Sequence, residues 1–197
     1  MITEKEYRQI SKNWKKGDKV YQKYNKLKKR LPMIENNIDF FKGAKVLELG
    51  SNAGMYALCL YRIIAGYTGI EVNRKYYKQS KVTLEGKDVT LINEMFEFVD
   101  LDKIEFDLFL ASYVLHHLND DEIKKLNTVF ERCNKVVIHT RSGDPFKYGH
   151  DEIGANPLPH WNTSKLKYML KEHGYESDLQ LTGKRDYNGI YIILAKK

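Results

Sequence analysis

The stretch Val46-Leu-Glu-Leu-Gly-Ser-Asn-Ala-Gly54 could do chemistry, because a strand pattern here runs through a glycine turn into a helix pattern. Such a turn lets a ligand approach the backbone with no Cβ in the way, at the positive end of the following helix, and nucleotide-like ligands use this place. Glu71 stands 21 residues after Gly50 at the end of the next strand pattern, where a carboxylate can accept both hydroxyls of a ribose. A glycine turn that only packs a strand on a helix is the alternative reading. His116 and His117 follow the fourth strand pattern, and histidine is the side chain most readily poised as a base near neutral pH. His139, at the end of the fifth, is the weaker candidate. Adjacent histidines do not easily converge on one ion, and His150-Asp151-Glu152 has no partner at regular spacing, so no metal site is expected.

The elements that must position these residues follow from periodicity. Strand patterns cover Lys45 to Leu49, Tyr67 to Val72, Val89 to Asn93, Phe106 to Ala111 and Lys135 to Thr140. Helix patterns lie between them: Met55 to Ala65, apolar on most sides and therefore buried; Arg74 to Leu84; and Asp120 to Cys133, with Ile123, Leu126, Phe130 and Cys133 on one face. A helix from Thr163 to His173 leads to two closing strands, Tyr175 to Leu181 and Gly189 to Ala195, joined by so short a turn that they must be antiparallel. The alternation predicts an α/β fold: a Rossmann-like, doubly wound, seven-stranded sheet with an antiparallel C-terminal strand. Residues 141–162 carry three of the four prolines and read as a lid or binding loop.

Residues 1–41 read as a basic helical N-terminal extension to a domain expected to span 42–197. The extension repeats Tyr7, Ile10 and Trp14, then Tyr21, Tyr24, Leu27, Leu31, Ile34, Ile38 and Phe41 at helical spacing, with a break near Gly17. Pro32 either opens a new first turn or kinks the second helix. The first 30 residues hold eleven Lys or Arg against three acidic residues, a net +8, while the remainder of the chain sums to −1. Charge segregated in this way is the footprint of a polyanionic partner, and the bland alternative is a solvated lysine-rich face. At 42% hydrophobic and 30% charged the chain is too apolar for disorder, and its longest apolar run is interrupted by Arg62 and too short to span a bilayer. The charged N-terminus is unlike a signal peptide, and Cys59 and Cys133 form no disulfide framework, so a cytosolic, reduced protein with no membrane partner is expected.

A P-loop would need Gly-Lys-Ser/Thr where this chain has Gly54-Met55-Tyr56, and a dinucleotide fingerprint would need G-x-G-x-x-G. Glu48-x-Gly50-x-x-x-Gly54, then Glu71, then Ala111-Ser-Tyr-Val-Leu-His-His-Leu118, together with the closing hairpin, resembles the class I S-adenosylmethionine-dependent methyltransferases. The resemblance implies S-adenosylmethionine as cofactor. It implies that Glu48 and the backbone of Gly50, Ser51 and Asn52 hold the methionine amino and carboxylate groups, with Gly54 permitting close approach. Glu71 would bind the ribose hydroxyls, Val72 one adenine face, Met95 and Phe96 the other, and Ser112 would sit beside the methionine moiety. Asn52 stands where the family commonly has a second glycine, and Asn tolerates the left-handed backbone such a turn needs.

Methyl transfer from a sulfonium has a good neutral leaving group, so the enzyme must mainly position the nucleophile and remove its proton. The Asn/Asp-Pro-Pro-aromatic sequence of nucleobase amino methylation is not found at Ala111-Ser-Tyr-Val, and both cysteines read as structural. His117 is the catalytic candidate, because it matches histidines of methyltransferases acting on small-molecule hydroxyls or on a transfer RNA wobble uridine; helix capping or packing is the alternative. Arg141, Tyr148, His160 and Trp161 would line the acceptor pocket, although Trp161 could equally anchor the following helix. The expected function is methylation of an oxygen or nitrogen of an RNA such as transfer RNA. The alternatives are a small-molecule O-methyltransferase, with the head as a lid, and a non-catalytic nucleic-acid-binding module.

Overall fold

The structure, a computed structural model, describes residues 31–141, 163–185 and 188–197. The expected helices of the first 30 residues lie outside the described residues, as do residues 142–162 with Tyr148, His160 and Trp161. The described chain divides into two compact units, one through Asp107 and one from Leu108.

In the first unit, α1 (Leu31–Asn36) carries Pro32 as its second residue, where a missing N–H costs nothing, and α2 (Ile38–Phe41) follows. Ile34 and Phe41 of the amphipathic stripe are fully buried. β1 (Lys45–Leu49), α3 (Met55–Leu60), β2 (Gly66–Ile70), α4 (Arg74–Thr83) and β3 (Thr90–Ile92) come next. β1 pairs with β2 and β2 with β3, both in parallel, so the order is β3-β2-β1. Every residue of α3 is buried, as its apolar character predicts. The helix is shorter than the expected 55–65, because the chain peels away after Leu60 to pair with the segment entering β1. The Gly43 N–H donates to the Ile63 carbonyl (2.7 Å) and the Ala65 N–H to that of Ala44 (2.8 Å).

The second unit holds β4 (Leu108–Ser112), a 3-10 turn at Leu115–His117, α5 (Asp120–Arg132), β5 (Lys135–Arg141), α6 (Thr163–Glu172), β6 (Glu176–Arg185) and β7 (Asn188–Lys196). β4 and β5 are parallel, and β7 runs antiparallel to both β5 and β6, giving the order β4-β5-β7-β6. The reversed last strand is the one predicted from the short connection. β6 and β7 extend through most of the expected turn, pairing out to Arg185 and Asn188 with an irregularity between Leu181 and Gly183. Each added pair satisfies backbone groups that a loose turn would leave to water. Among the described residues there are thus seven strands, three in one unit and four in the other.

The start of α5 shows how local sequence fixes an element. Asn119 accepts hydrogen bonds from the backbone N–H groups of Asp121 (3.0 Å) and Glu122 (2.9 Å), and Glu122 accepts the Asn119 N–H in return (3.0 Å). Asp120, Asp121 and Glu122 add negative charge at the positive helix end. Leu126, Val129 and Phe130 are fully buried, so Val129 takes the deep place expected for Ile123, which is half-buried. At the far end, the Lys197 ammonium donates to the carbonyls of Phe130 (2.7 Å) and Glu131 (3.1 Å), which the helix leaves without intrahelical donors. Asn119→Ala should cost about 1 kcal/mol of stability, read as a lower midpoint in thermal denaturation. No described helix is long and apolar enough to cross a membrane.

Candidate cofactor site and acceptor edge

The turn after β1 is left-handed at three places: Gly50 (φ 71°), Asn52 (φ 52°) and Gly54 (φ 74°). Asn52 adopts the conformation its side chain tolerates, and its Oδ1 accepts the Ala53 N–H at 2.9 Å. A Cβ built on Gly54 would lie 2.7 Å from Leu84 Cδ1 and 3.3 Å from Ser80 Cβ, so the approach this glycine permits is that of α4 and the residue after it. The N–H groups of Gly50 and Ser51 donate to the Ile70 carbonyl (2.9 and 3.0 Å), and that of Asn52 donates to Glu71 (2.7 Å). The amides of Gly50 and Ser51 are thus engaged by the last residue of β2 and that of Asn52 by the Glu71 carboxylate just beyond it. What the backbone retains for an ammonium group is carbonyl oxygen, which has two lone pairs.

Glu48 is 1% exposed, and its carboxylate accepts a hydrogen bond of 2.5 Å from the hydroxyl of Tyr67 on β2, itself buried. Burial, and next the Glu48 charge, push the Tyr67 phenol well above its usual range, so it remains a proton donor. Ser51 Oγ is buried and has no hydrogen-bond partner among the described residues. The hydroxyl lies close enough to the Tyr67 phenol to act on it, lowering its pKa against the larger raising by burial and Glu48.

Glu71 is also buried, and it divides its two oxygens between the N–H of Asn52 (2.7 Å) and that of Asn73 (2.8 Å). It thereby ties the glycine turn to the exit of β2. A carboxylate has about four acceptor positions, so two backbone donors leave room for ribose hydroxyls. Asn93, which the sequence reading passed over, fixes the same corner: its side-chain amide donates to the carbonyls of Glu71 (2.6 Å) and Val72 (3.1 Å). Val72 is 64% exposed and Met95 37%, as groups offered to an adenine would be, whereas Phe96 is 2% exposed and packs in the core. Of the pair expected on the second adenine face, Met95 is therefore the one at the surface.

In the second unit, Ser112 ends β4, and Tyr113 follows with φ 54°, an uncommon backbone state for a bulky residue. His139 on β5 holds it there. The Tyr113 N–H donates to the His139 carbonyl (2.9 Å), the two rings lie 4.5 Å apart, and the Tyr113 hydroxyl meets His139 Nε2 at 3.2 Å. Ser112 Oγ lies 3.4 Å from Nδ1 of the same ring. His139 is 5% exposed, and both of its ring nitrogens face hydroxyls, which suits a positioning role. His117 lies in the 3-10 turn with an exposed side chain, and Arg141 closes β5 with a side chain outside what the structure describes. Strain held at the carboxyl ends of strands marks the edge where open α/β sheets bind ligands.

Both cysteines are buried and free. Burial, with a smaller contribution from Glu48, pushes the Cys59 thiol up to about 12, and burial raises Cys133 as well. A nucleophilic thiolate is the wrong reading for either. Among the described residues no three His, Cys, Asp or Glu side chains gather as a metal site would require.

Residues 46–137 match the family model described as a methyltransferase domain. The match spans 92 of the chain's 197 residues, and over them the chain is similar to methyltransferase domains. No curated protein matches the chain. Among solved structures, the methyltransferase domain of a bacterial CtHen1 is 16% identical, with 87% of this chain and 97% of that one covered and a TM-score of 0.62. Magnesium protoporphyrin IX methyltransferase from Synechocystis PCC 6803, solved with bound S-adenosylmethionine, is 11% identical over 97% and 89% of the two chains at 0.63. An S-adenosylmethionine-dependent methyltransferase from Aquifex aeolicus is 17% identical over 87% and 96% at 0.61. At these identities the likeness shows the fold, and it supports the seven-stranded α/β architecture. Class I methyltransferases take their methyl group from S-adenosylmethionine, and the residues at this turn fit that cofactor: a buried acid in Glu48 and a strand-end carboxylate in Glu71.

Proposed function

We propose that this S-adenosylmethionine-dependent methyltransferase modifies an oxygen or nitrogen of an RNA, with transfer RNA as the acceptor class. The observation that carries the reading is the segregation of charge: eleven basic residues against three acidic in the first 30, interleaved with Tyr7, Trp14, Tyr21 and Tyr24. Lysines can track phosphates while aromatic rings stack on bases.

The cofactor supplies an activated methyl group on a sulfonium. The protein has to hold it and prepare the acceptor. Glu48, with the carbonyls of the glycine turn, takes the methionine ammonium, Glu71 the ribose, and Val72 and Met95 the adenine. By the family resemblance Ser112 would sit beside the methionine moiety, and within its own unit Tyr113, held by His139, shapes the end of β4. His117, exposed at the same strand end, takes the acceptor proton. Arg141, Tyr148, His160 and Trp161 are the residues assigned here to the acceptor, the last three lying outside the described residues. A small-molecule O-methyltransferase is the second reading, favoured by the likeness to the magnesium protoporphyrin IX enzyme over most of this chain.

Incubation with methyl-labelled cofactor against total RNA and a metabolite extract separates the two by which fraction takes the label. Binding should agree. Replacing Lys15, Lys16, Lys28 and Lys29 by Gln removes charge and keeps the apolar stripe. The slope of log affinity for bulk transfer RNA against log salt should fall by about 3. An unchanged slope, or no RNA binding by the wild type at moderate salt, moves the acceptor to a small molecule.

A further inference from the structure

The balance of −1 beyond residue 30 conceals a local excess. From Asn73 to Lys87 the chain carries Arg74, Lys75, Lys78, Lys81 and Lys87 against a single acid, Glu85, a net +4. Arg74, Lys78 and Lys81 fall at i, i+4 and i+7 of α4 and are all exposed, so they form one ridge, on the side away from the buried Gln79, Ser80 and Thr83. This arrangement works against the helix. Like charges at these spacings repel, and Arg74 and Lys75 stand in the first turn, where the helix end is positive and acidic residues stabilise. The cap is neutral: the Asn73 side chain accepts the N–H groups of Lys75 (3.0 Å) and Tyr76 (3.3 Å). The nearest acid, Glu71, is buried on the N–H groups of Asn52 and Asn73. Local preference overridden in this way marks a functional surface.

We propose that the outward ridge of α4 is an RNA-docking surface on which Arg74, Lys78 and Lys81 contact backbone phosphates. The proposal rests on the RNA reading above and adds a surface that the first 30 residues do not contain. Aromatic rings accompany the cations. Lys81 Nζ lies 5.7 Å from the centre of the Tyr77 ring, and past the helix the ring of Tyr61 has Lys87 Nζ at 4.8 Å and the Arg62 guanidinium at 5.2 Å. Cations beside tyrosines suit a nucleic-acid strand, with charge on phosphates and rings available to bases. An anionic membrane would ask for an apolar face, whereas Val82 is the one large apolar residue that α4 exposes. The ridge begins three residues after Glu71, so a strand laid along it runs up to the corner assigned to the cofactor ribose.

Binding of bulk transfer RNA by the full chain across a salt series tests this with two variants of equal charge change. Arg74→Gln, Lys78→Gln and Lys81→Gln together should lower the slope of log affinity against log salt by about 2 to 3, because each phosphate contact contributes about 0.7 to 0.9. Gln keeps helix propensity and the repulsion is gone, so this variant should melt no lower than the wild type and bind S-adenosylhomocysteine equally well. Lys165→Gln, Lys167→Gln and Lys171→Gln on the exposed side of α6 should keep the wild-type slope. An unchanged slope in the α4 variant would overturn the proposal. An equal fall in the α6 variant would also overturn it, by reducing the effect to net charge. Vesicles of equimolar phosphatidylserine and phosphatidylcholine form a third arm: binding that the α4 variant loses while its RNA binding stays intact would assign the ridge to a membrane instead. No RNA binding by the wild type at moderate salt would remove the RNA reading and this proposal together, a result that is distinct because it precedes any substitution.

Discussion

Glu71→Ala should weaken S-adenosylmethionine binding by about 10- to 150-fold, the equivalent of about 1.5 to 3 kcal/mol for charge-assisted hydrogen bonds to a ribose. Two losses combine in this variant. The ribose hydroxyls lose their acceptor, and the N–H groups of Asn52 and Asn73 lose the carboxylate that ties the glycine turn to the end of β2. The second loss should also lower the thermal midpoint without ligand, because an amide near a buried corner is left without its acceptor. Calorimetry gives the affinity and a melt without cofactor gives the structural part. Wild-type affinity in the variant would show that Glu71 serves the turn alone. A wild type that shows no heat with the cofactor at high concentration would end the methyltransferase reading.

His117→Ala should lower turnover by about 100- to 10,000-fold and leave cofactor affinity nearly unchanged, as removal of a general base does. The side chain is exposed in the 3-10 turn after β4, a place from which an imidazole can meet a large acceptor. His139 differs in kind, since it is buried with its two nitrogens on Ser112 and Tyr113. Label transfer to bulk transfer RNA measures the turnover, and calorimetry with S-adenosylhomocysteine measures the affinity. Unchanged label transfer in His117→Ala would return this residue to helix capping and shift attention to the Tyr113 hydroxyl.

What the sequence determined by itself is what depends on near neighbours. The glycine turn follows from residue types inside a dozen positions, and Asn52 takes the left-handed backbone its side chain allows. The acidic first turn of α5 and its reciprocal Asn119–Glu122 cap are four residues of local chemistry. The reversed direction of β7 follows from a connection too short to cross over. Helix length was less legible: α3 stops at Leu60 because Gly43 and Ala44 pair with the chain beyond it, which no window around Met55 contains.

Only the tertiary structure decided which groups the site has left to offer. The amides of Gly50, Ser51 and Asn52 read as ligand donors, and the fold engages them with the Ile70 carbonyl and the Glu71 carboxylate. Gly54 reads as a gap for a ligand until Leu84 and Ser80 fill it. Tyr67 reaches Glu48 across 19 residues because one register sets Glu48 opposite a glycine, and a slip of one residue would turn that face over. Tyr113 takes its strained backbone only where His139 arrives from the neighbouring strand to hold it. Residue types announce which chemistry a segment could perform. Strand register and side-chain packing join residues far apart in the chain, so they decide which donors and acceptors remain for a ligand.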